Sequence, residues 1–537
     1  MEPSNGLVLD SLSAFRHSLP LAHLQTVSGL GLVVALVAVP LTTVFLWFTA
    51  SWAASPLRKY PGPFLAGYTN LWRLAQVKSG DYHLVIKKLH EKYGPVVRIG
   101  PNTLDLDYPE LIKTIYGTDG KWHKTEFYHN NSTMINGKIV YHMFSTTDQA
   151  EHARMKRPIV KYYSLSSVLG MEPIMDKVVG AFCKQLDNRF VSGPSGPKEC
   201  DLGEWIAFYA WDHISSVTFS QSWGYMDKGH DFDNTIAVAD RALDYFSAVG
   251  QMPWLDYVLD KNPVVRIGPP NLGNATRIAF ESLVARLQGK DQSYDPKTPD
   301  YLQHFIDSKS THPDLVDDGT IMGYLLVNIL AGADTTAITL RAIFYFSLKQ
   351  PDVYRRLEAE VRAAGIDRDH AAPYSVARQI PYLEAIVRES MRLHPSVSML
   401  LERYVPDAGL VLPDGSHVPA GAAVGLNAYI TGRNKSVWGD DADEFRPERW
   451  LRDEAKGETE EAYRLRMQRF NAADLSFGGG SRICAGRNLA LVEIYKIVAT
   501  LVNRYDIALA DPNKVWTVWN SWFPRQKGII TTLKMRK

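Results

Sequence analysis

The stretch "FGGGSRICAG", residues 477–486, places four glycines around Cys484, one of only three cysteines in the 537-residue chain. Glycine lets a backbone lie close to a large flat group. A thiolate in such a turn can accept backbone N–H bonds, and the helix predicted directly after the stretch has an N-terminal dipole that also favours the ionised sulfur. The stretch therefore predicts a loop that presents the sulfur of Cys484 to a metal.

The composition limits the class of protein. With 59 basic and 58 acidic residues, the net charge of +1 does not suggest nucleic acid as a partner. Cys183, Cys200 and Cys484 are far apart and form no C-x-x-C pair, so neither a disulfide framework nor a zinc cluster is indicated. A globular protein in a reducing environment fits best.

The N-terminal region predicts a membrane anchor. Residues 24–57 contain no charged side chain, and Arg58 and Lys59 follow them directly. A helix of this length spans a bilayer, and the flanking cations favour a cytosolic body. The predicted organisation is a short lumenal segment (1–23), an uncleaved anchor (24–57), a Pro/Gly hinge (58–63) and one large domain (64–537). A buried core helix is the alternative for the apolar run.

The loop around Cys484 resembles the haem-binding signature F-x-x-G-x-R-x-C-x-G of the cytochrome P450 family, which is filled at Phe477, Gly480, Arg482, Cys484 and Gly486. The resemblance extends from about residue 59 to the end. It implies a mainly α fold with a small β-rich lobe. It also implies a haem b cofactor, with Cys484 as the axial ligand of the iron. A dinucleotide-binding interpretation of the glycines fails, because Ile483 stands where the third glycine belongs.

A second motif, "AGADTT" at residues 331–336, lies in an apolar run. Fifteen uncharged residues before Asp334 are too few for a membrane span, so the run predicts a core helix. It resembles the oxygen-binding helix of the family. The resemblance implies that Thr335 orients a proton-donating hydrogen bond, that Asp334 relays protons from solvent, and that Ala331 and Gly332 leave room for dioxygen. Asn328 is expected on the same face. A salt-bridged Asp and a buried Thr without a chemical role are the alternative.

Two further motifs indicate support for the haem side of the core. "ESMRLHP" (residues 389–395) and "FRPERW" (residues 445–450) resemble the E-x-x-R helix and P-E-R-F loop of the family. The resemblance implies a buried network of Glu389, Arg392 and Arg449 that serves folding and haem retention. Trp450 stands where the family usually has Phe.

Three residues are implied as contacts of the haem propionates. His152 and Lys156 match a pattern that the family has in its C helix, although Lys replaces the usual Arg and Arg157 is an alternative donor. Arg403 matches a third position. A solvated surface arginine is the alternative for Arg403.

Residues 95–107 and 410–421 predict β-hairpins, on Gly-Pro-Asn and Pro-Asp-Gly turns. The predicted pocket walls contain Met, Trp and Phe, which favour an apolar ligand. These walls are residues 125–144, the helix that carries Asn328, residues 396–400 and residues 519–523.

The resemblance implies a monooxygenase that uses O2 to oxidise an apolar small molecule. Electrons from NADPH would come from a separate NADPH-cytochrome P450 reductase, with cytochrome b5 as an optional second partner. The reductase is expected near Cys484, where Arg482, Arg487 and Lys496 are candidate contacts. The sequence is similar to fungal enzymes of the pisatin demethylase-like group, which implies the endoplasmic reticulum and secondary-metabolite biosynthesis. A haem-thiolate isomerase or dehydratase and a non-enzymatic haem sensor are the alternatives.

Overall fold

The structure, a computed structural model, describes residues 29–135, 137–191, 198–269 and 272–536. The chain divides into two compact units between Ser55 and Pro56. In the first unit the described residues form one helix, α1 (Gly29–Ala54). Its segment Val34–Ala54 has a mean hydropathy of 1.9 and is long and apolar enough to cross a membrane. The part of the predicted anchor before Gly29 lies outside the described residues.

The body is mainly helical. Its α-helices in chain order are α2 (Leu71–Lys78), α3 (Tyr82–Tyr93), α4 (Ile112–Ile115), α5 (Gln149–Lys156), α6 (Leu165–Gly170), α7 (Glu172–Leu186), α8 (Leu202–Phe219), α9 (Tyr225–Lys228), α10 (Thr235–Val249), α11 (Trp254–Leu259), α12 (Gly273–Leu287), α13 (Tyr301–Thr311), α14 (Asp318–Lys349), α15 (Pro351–Ala363), α16 (Tyr374–Ala377), α17 (Pro381–Leu393), α18 (Ala428–Thr431), α19 (Lys435–Trp438), α20 (Glu460–Ala473) and α21 (Arg487–Arg504).

Short strands form the smaller β part. They are β1 (Val96–Gly100), β2 (Thr103–Leu106), β3 (Thr133–Ile135), β4 (Lys138–Val140), β5 (Glu199–Asp201), β6 (Arg403–Tyr404), β7 (Leu410–Val411), β8 (His417–Val418), β9 (Ala423–Leu426), β10 (Tyr505–Leu509), β11 (Thr517–Asn520), β12 (Pro524–Lys527) and β13 (Ile530–Met535). The largest sheet has the order β1-β2-β9-β6, and β10-β13-β5 form a second sheet. Both predicted hairpins are present, as β1-β2 and β7-β8. The predicted fold class is confirmed.

Helix α14 is the long core helix of the body. It begins where the carboxylate of Asp317 accepts a hydrogen bond from the N–H of Thr320, an N-cap that satisfies a free donor of the first turn. Although α14 is apolar enough to pass for a membrane span, just over half of its most apolar window is buried within the protein. This agrees with the predicted core helix.

The junction after α1 differs from the predicted hinge. Leu57 was assigned to the anchor, but its side chain is completely buried in the apolar core around β2 and β9. The following Pro-Gly-Pro segment is docked on β1, since the N–H of Arg98 donates to the carbonyl of Pro61 at 2.7 Å. A Cβ at Gly62 would lie 2.1 Å from the carbonyl oxygen of Arg98. Only glycine allows this contact, so residues 61–63 pack on the body.

Candidate active site

The cysteine loop is a tight turn that leads into α21. The N–H of Cys484 donates to the carbonyl of Phe477 at 2.9 Å, which closes the loop. Gly480 has φ +59°, and a Cβ at this position would lie 1.7 Å from the carbonyl oxygen of Tyr116. Both facts exclude other residues from position 480. The loop thus holds Cys484 three residues before the first turn of α21, as predicted.

The thiol of Cys484 has an accessible surface. Burial raises its pKa above the ordinary value, and this outweighs the opposing N–H groups of Gly486 and Arg487 and the charge of Lys156. The N–H groups of Gly486 and Arg487 favour the ionised sulfur, but they do not by themselves offset the effect of burial. A bound metal cation would supply the missing positive charge.

Near the middle of α14, some side chains are accessible although most of the helix is buried in the body. Ala331 is exposed and Thr335 is half-buried, whereas Thr336 is only 2% exposed. The hydroxyl of Thr335 donates to the carbonyl of Ala331 at 2.7 Å. The hydroxyl of Thr336 donates to the carbonyl of Gly332 at 3.0 Å, on the buried side. Of the two adjacent threonines, Thr335 therefore faces accessible space, and its role in proton delivery stays a prediction.

Two neighbours of Thr335 have other roles than expected. A Cβ at Gly332 would lie 2.6 Å from Cδ1 of Ile214, so this glycine allows α14 to pack closely on α8. Asn328 is buried and does not share the accessible face. Its side chain accepts a hydrogen bond from Tyr163 at 2.8 Å and donates one to Thr218 at 2.8 Å. Only Ala331 and Thr335 of the expected group remain on the open side.

Asp334 is buried beside Thr335. Its Oδ1 accepts a hydrogen bond from the indole Nε1 of Trp211 at 3.1 Å, and among the described residues its Oδ2 has no hydrogen-bond partner. Burial, together with the charge of Asp240, raises the pKa of Asp334 to about 7, against the lowering effects of the Trp211 hydrogen bond and of the charges of Arg341 and Arg525. A carboxyl group with this pKa can both accept and release a proton near neutral pH.

Three cations gather near the cysteine loop. Lys124 and Arg403 are buried and Arg482 is half-buried. Burial, followed by the charges of Arg403 and Arg482, lowers the pKa of Lys124 well below its ordinary value. Burial and Arg403 lower the pKa of Arg482 to about 10. Within the described part of the chain none of the three forms an ion pair with a carboxylate. We call Lys124, Arg403 and Arg482 the cation cluster.

Uncharged oxygens, most of them on the main chain, accept the hydrogen bonds of the cation cluster. Lys124 Nζ donates to the carbonyl of Phe144 at 2.7 Å and lies 3.9 Å from the ring centroid of Tyr128. Arg403 donates to its neighbouring carbonyl at position 402, at 2.7 Å. Arg482 donates to the carbonyls of Thr146 and Asp148, both at 3.0 Å. Buried cations without a counter-ion are costly, so the geometry suits an anionic ligand.

These features fit haem b. Its two propionates would supply the carboxylates that the cation cluster lacks, and Cys484 would offer the iron a sulfur ligand from an accessible loop. The sequence assigned Arg403 to the propionates and Arg482 to the haem-binding signature, but it missed Lys124. The local sequence around Lys124 gives no signal of this role. Lys124 lies beside Arg403 only because an isolated β-bridge pairs two segments that are distant in sequence.

The chain was compared with known proteins. The family model described as cytochrome P450 matches residues 61–531. The chain belongs to the cytochrome P450 family. The cytochrome P450 monooxygenase cfoH of Aspergillus candidus is 47% identical over 93% of this chain and 92% of its own length. The cytochrome P450 monooxygenase cicH of Emericella nidulans is 36% identical over 89% of this chain and 94% of its own length. The cytochrome P450 monooxygenase vrtE of Penicillium aethiopicum is 32% identical, over 89% of each chain. The protein is an enzyme of the P450 monooxygenase type.

The remaining predicted propionate ligands of this P450 lie on α5. His152 is buried, and burial and the charge of Arg482 lower its pKa to about 3, so the imidazole is neutral. Lys156 donates to the carbonyl of Ser481 in the cysteine loop at 3.2 Å. Arg157, the alternative donor, is exposed. The contacts of His152 and Lys156 with propionates stay predictions.

The network expected around Glu389 of the P450 is fully formed. Arg392 donates to both carboxylate oxygens of Glu389 at 2.8 Å, and Arg449 donates to Oε1 at 2.8 Å. Trp450 donates from its indole N–H to Oε2 at 2.9 Å, a bond that the usual Phe cannot make. Burial alone would raise the pKa of Glu389, but the two arginines hold it below its ordinary value.

The expected reductase contacts of the P450 are not equivalent. Lys496 is buried and pairs with Glu172 at 2.6 Å and Asp176 at 2.7 Å, so it is not available to a partner. Arg482 is directed inward. Arg487 is exposed.

A cavity of about 470 Å³ lies on this side of the cysteine loop and includes Arg487 but neither Ala331 nor Thr335, so it is not the substrate site.

The predicted pocket walls of the P450 bring together aromatic side chains. Phe127 and Phe144 come from the 125–144 segment, Phe246 from α10, and Trp522 from the turn between β11 and β12. The ring centroid of Trp522 lies 5.2 to 6.0 Å from those of the three phenylalanines. Met399 and Leu400 belong to the same apolar cluster. The sequence predicted these segments but not Phe246.

Proposed function

We propose that this P450 inserts one oxygen atom from O2 into an apolar small molecule in fungal secondary-metabolite biosynthesis, by hydroxylation, epoxidation or oxidative demethylation. The observation that carries the proposal is the accessible Cys484 together with a cation cluster that lacks carboxylate partners. Bound haem b would supply the iron centre at which O2 is activated. Cys484 would hold its iron through the sulfur, and Lys124, Arg403 and Arg482 would hold its propionates.

The residues of α14 support oxygen insertion over the rival reactions. Thr335 can hold a hydroxyl proton at Oγ1 on the accessible face, and Asp334 beside it titrates near neutral pH. Asp334 can replace the proton that Thr335 passes on. An isomerase, a dehydratase or a haem sensor needs no such pair. The aromatic walls around Trp522 exclude water and favour an apolar, ring-containing substrate.

We propose that the electrons come from NADPH through NADPH-cytochrome P450 reductase, with cytochrome b5 as an optional donor. The test is reconstitution of the full-length enzyme with that reductase. The substrate is found by deleting the gene in the producing fungus and identifying the metabolite that accumulates. We expect product that contains one atom from labelled O2 and that requires NADPH. Conversion of the substrate without NADPH would instead support the isomerase or dehydratase.

We propose that α1 anchors the enzyme as a single span in the endoplasmic reticulum membrane, with the body in the cytosol. The uncharged helix followed by Arg58 and Lys59 supports this orientation. Protease added to sealed microsomes should digest the body. Full protection of the body until detergent is added would reverse the orientation.

A further inference from the structure

The two buried cations Lys124 and Arg403 lie side by side. Their residues are partners in an antiparallel bridge, and the N–H of Tyr404 donates to the carbonyl of His123 at 2.9 Å. Directly opposite residues of such a pair point to the same face. Two positive charges are thus held close together in the protein interior, an arrangement that their mutual repulsion opposes.

A second set of contacts ties the same two segments together on the other face. Glu402 precedes Arg403, and Thr125 follows Lys124, so both point away from the cations. The hydroxyl of Thr125 donates to Oε2 of Glu402 at 2.8 Å. The other oxygen of Glu402 pairs with Arg73 of α2, and Arg73 also donates to Oγ1 of Thr103 on β2 at 3.2 Å.

This second set is deeply buried. Glu402 is 5% exposed, Thr125 is 3% exposed and Arg73 is 4% exposed. Glu402 therefore has a compensating cation of its own and does not neutralise Lys124 or Arg403 by direct contact. The side chain of Glu402 is held in place by residues of α2 and β2, which lie outside the two segments that it joins.

We propose that Glu402, bridged by Thr125, is a positioning residue that keeps Lys124 and Arg403 in register to receive the carboxylates of the cofactor. The proposal rests on the haem cofactor of the proposed function. Glu402 acts through the two cations and does not itself touch the cofactor. Outer residues of this kind commonly change the affinity of a site by 10- to 100-fold.

The test measures haem transfer from the full-length holoenzyme to an excess of apomyoglobin. Thr125→Val removes the bridging hydroxyl, keeps the shape of the side chain and leaves the pair of Arg73 and Glu402 intact. We expect about tenfold faster haem release from Thr125→Val and a larger increase from Glu402→Gln. Glu126→Gln is the matched control, because Glu126 joins the same two segments through Tyr404 at the exposed surface. It should release haem at the wild-type rate.

A double mutant separates positioning from general loosening of the fold. If Glu402 and Thr125 act through Lys124, then Thr125→Val should not accelerate haem release further in a Lys124→Met background. An undiminished effect of Thr125→Val in that background would overturn the proposal, as would a wild-type rate in both Thr125→Val and Glu402→Gln. A wild-type protein that takes up no haem would contradict the proposed function itself.

Discussion

Two groups of basic side chains in this P450 differ in how their charge is balanced. Around Glu389, the carboxylate accepts hydrogen bonds from Arg392, Arg449 and Trp450, and the arginines also donate to main-chain carbonyls. In the cation cluster of Lys124, Arg403 and Arg482, only carbonyl oxygens and aromatic rings are available within the described residues. The first group is complete in the protein alone, and the second would be completed by the propionates of the proposed haem. The difference separates residues that serve folding from residues that serve the cofactor.

The largest expected effect is in the complete group. Arg392→Met leaves Glu389 buried with one arginine fewer, and removal of one partner from a buried pair costs about 3–5 kcal/mol of unfolding free energy. We expect loss of the folded protein whether or not haem is supplied during expression. The measurement is the yield of soluble protein and its thermal unfolding. A stable apoprotein that merely fails to bind haem would place Arg392 with the cation cluster.

The next effect separates the iron ligand from the fold. Cys484→Ser should abolish the thiolate-type spectrum of the ferrous carbon monoxide complex and leave the far-ultraviolet circular dichroism unchanged, because Cys484 is accessible and serine can keep its main-chain hydrogen bond to Phe477. Cys183→Ser and Cys200→Ser should keep the spectrum, since both thiols lie in the apolar core, away from the cysteine loop. A thiolate-type spectrum in Cys484→Ser would show that another residue binds the iron.

Arg403→Met tests the cation cluster directly. Removing one of several repelling buried cations should leave the thermal stability of the apoprotein equal or higher, while haem is lost about tenfold faster. The opposite responses of apoprotein stability and haem retention are the expected signature. Arg403→Met with a large loss of apoprotein stability would show that Arg403 belongs to the folding group.

Short motifs made much of this site predictable. The cysteine loop, the α14 threonine and the Glu389 network depend on residues close in sequence, whose spacing fixes their shared face or turn. Lys124, Trp211 and Ile214 could not be predicted, because each acquires its role from a segment far along the chain. The predictions for Asn328, made from helical spacing, and for Lys496, made from its charge near Cys484, were wrong for the same reason. Only the packing against α8 and α7 shows that these two side chains are buried.

Substitution of Thr335 on α14 should change the yield of product without loss of haem. Thr335→Ala removes the hydroxyl on the accessible face, so we expect product per NADPH to fall by about tenfold and released hydrogen peroxide to rise. Thr336→Ala is the matched control, since its hydroxyl bonds Gly332 on the buried side. NADPH, peroxide and product are measured in one reconstituted mixture. If only Thr336→Ala loses product, the proton-donating hydroxyl belongs to Thr336.

The smallest effect concerns Asp334, whose charge is balanced less completely than that of Glu389. Four groups face it: Trp211 of α8, Asp240 of α10, Arg341 of α14 and Arg525 of β12. The carboxylate of Asp240 raises the pKa of Asp334, so Asp240→Asn should lower that pKa. Asp334 is protonated below its pKa and loses the stored proton as pH rises through it. Product per NADPH should therefore decline with rising pH near 7 in the wild type and begin to decline at lower pH in Asp240→Asn.

Asp244→Asn is the control, because Asp244 pairs with the same Arg525 one turn further along α10. An equal downward shift in both variants would assign the effect to the packing of α10, and an unshifted profile in Asp240→Asn would show that Asp334 is not the titrating group.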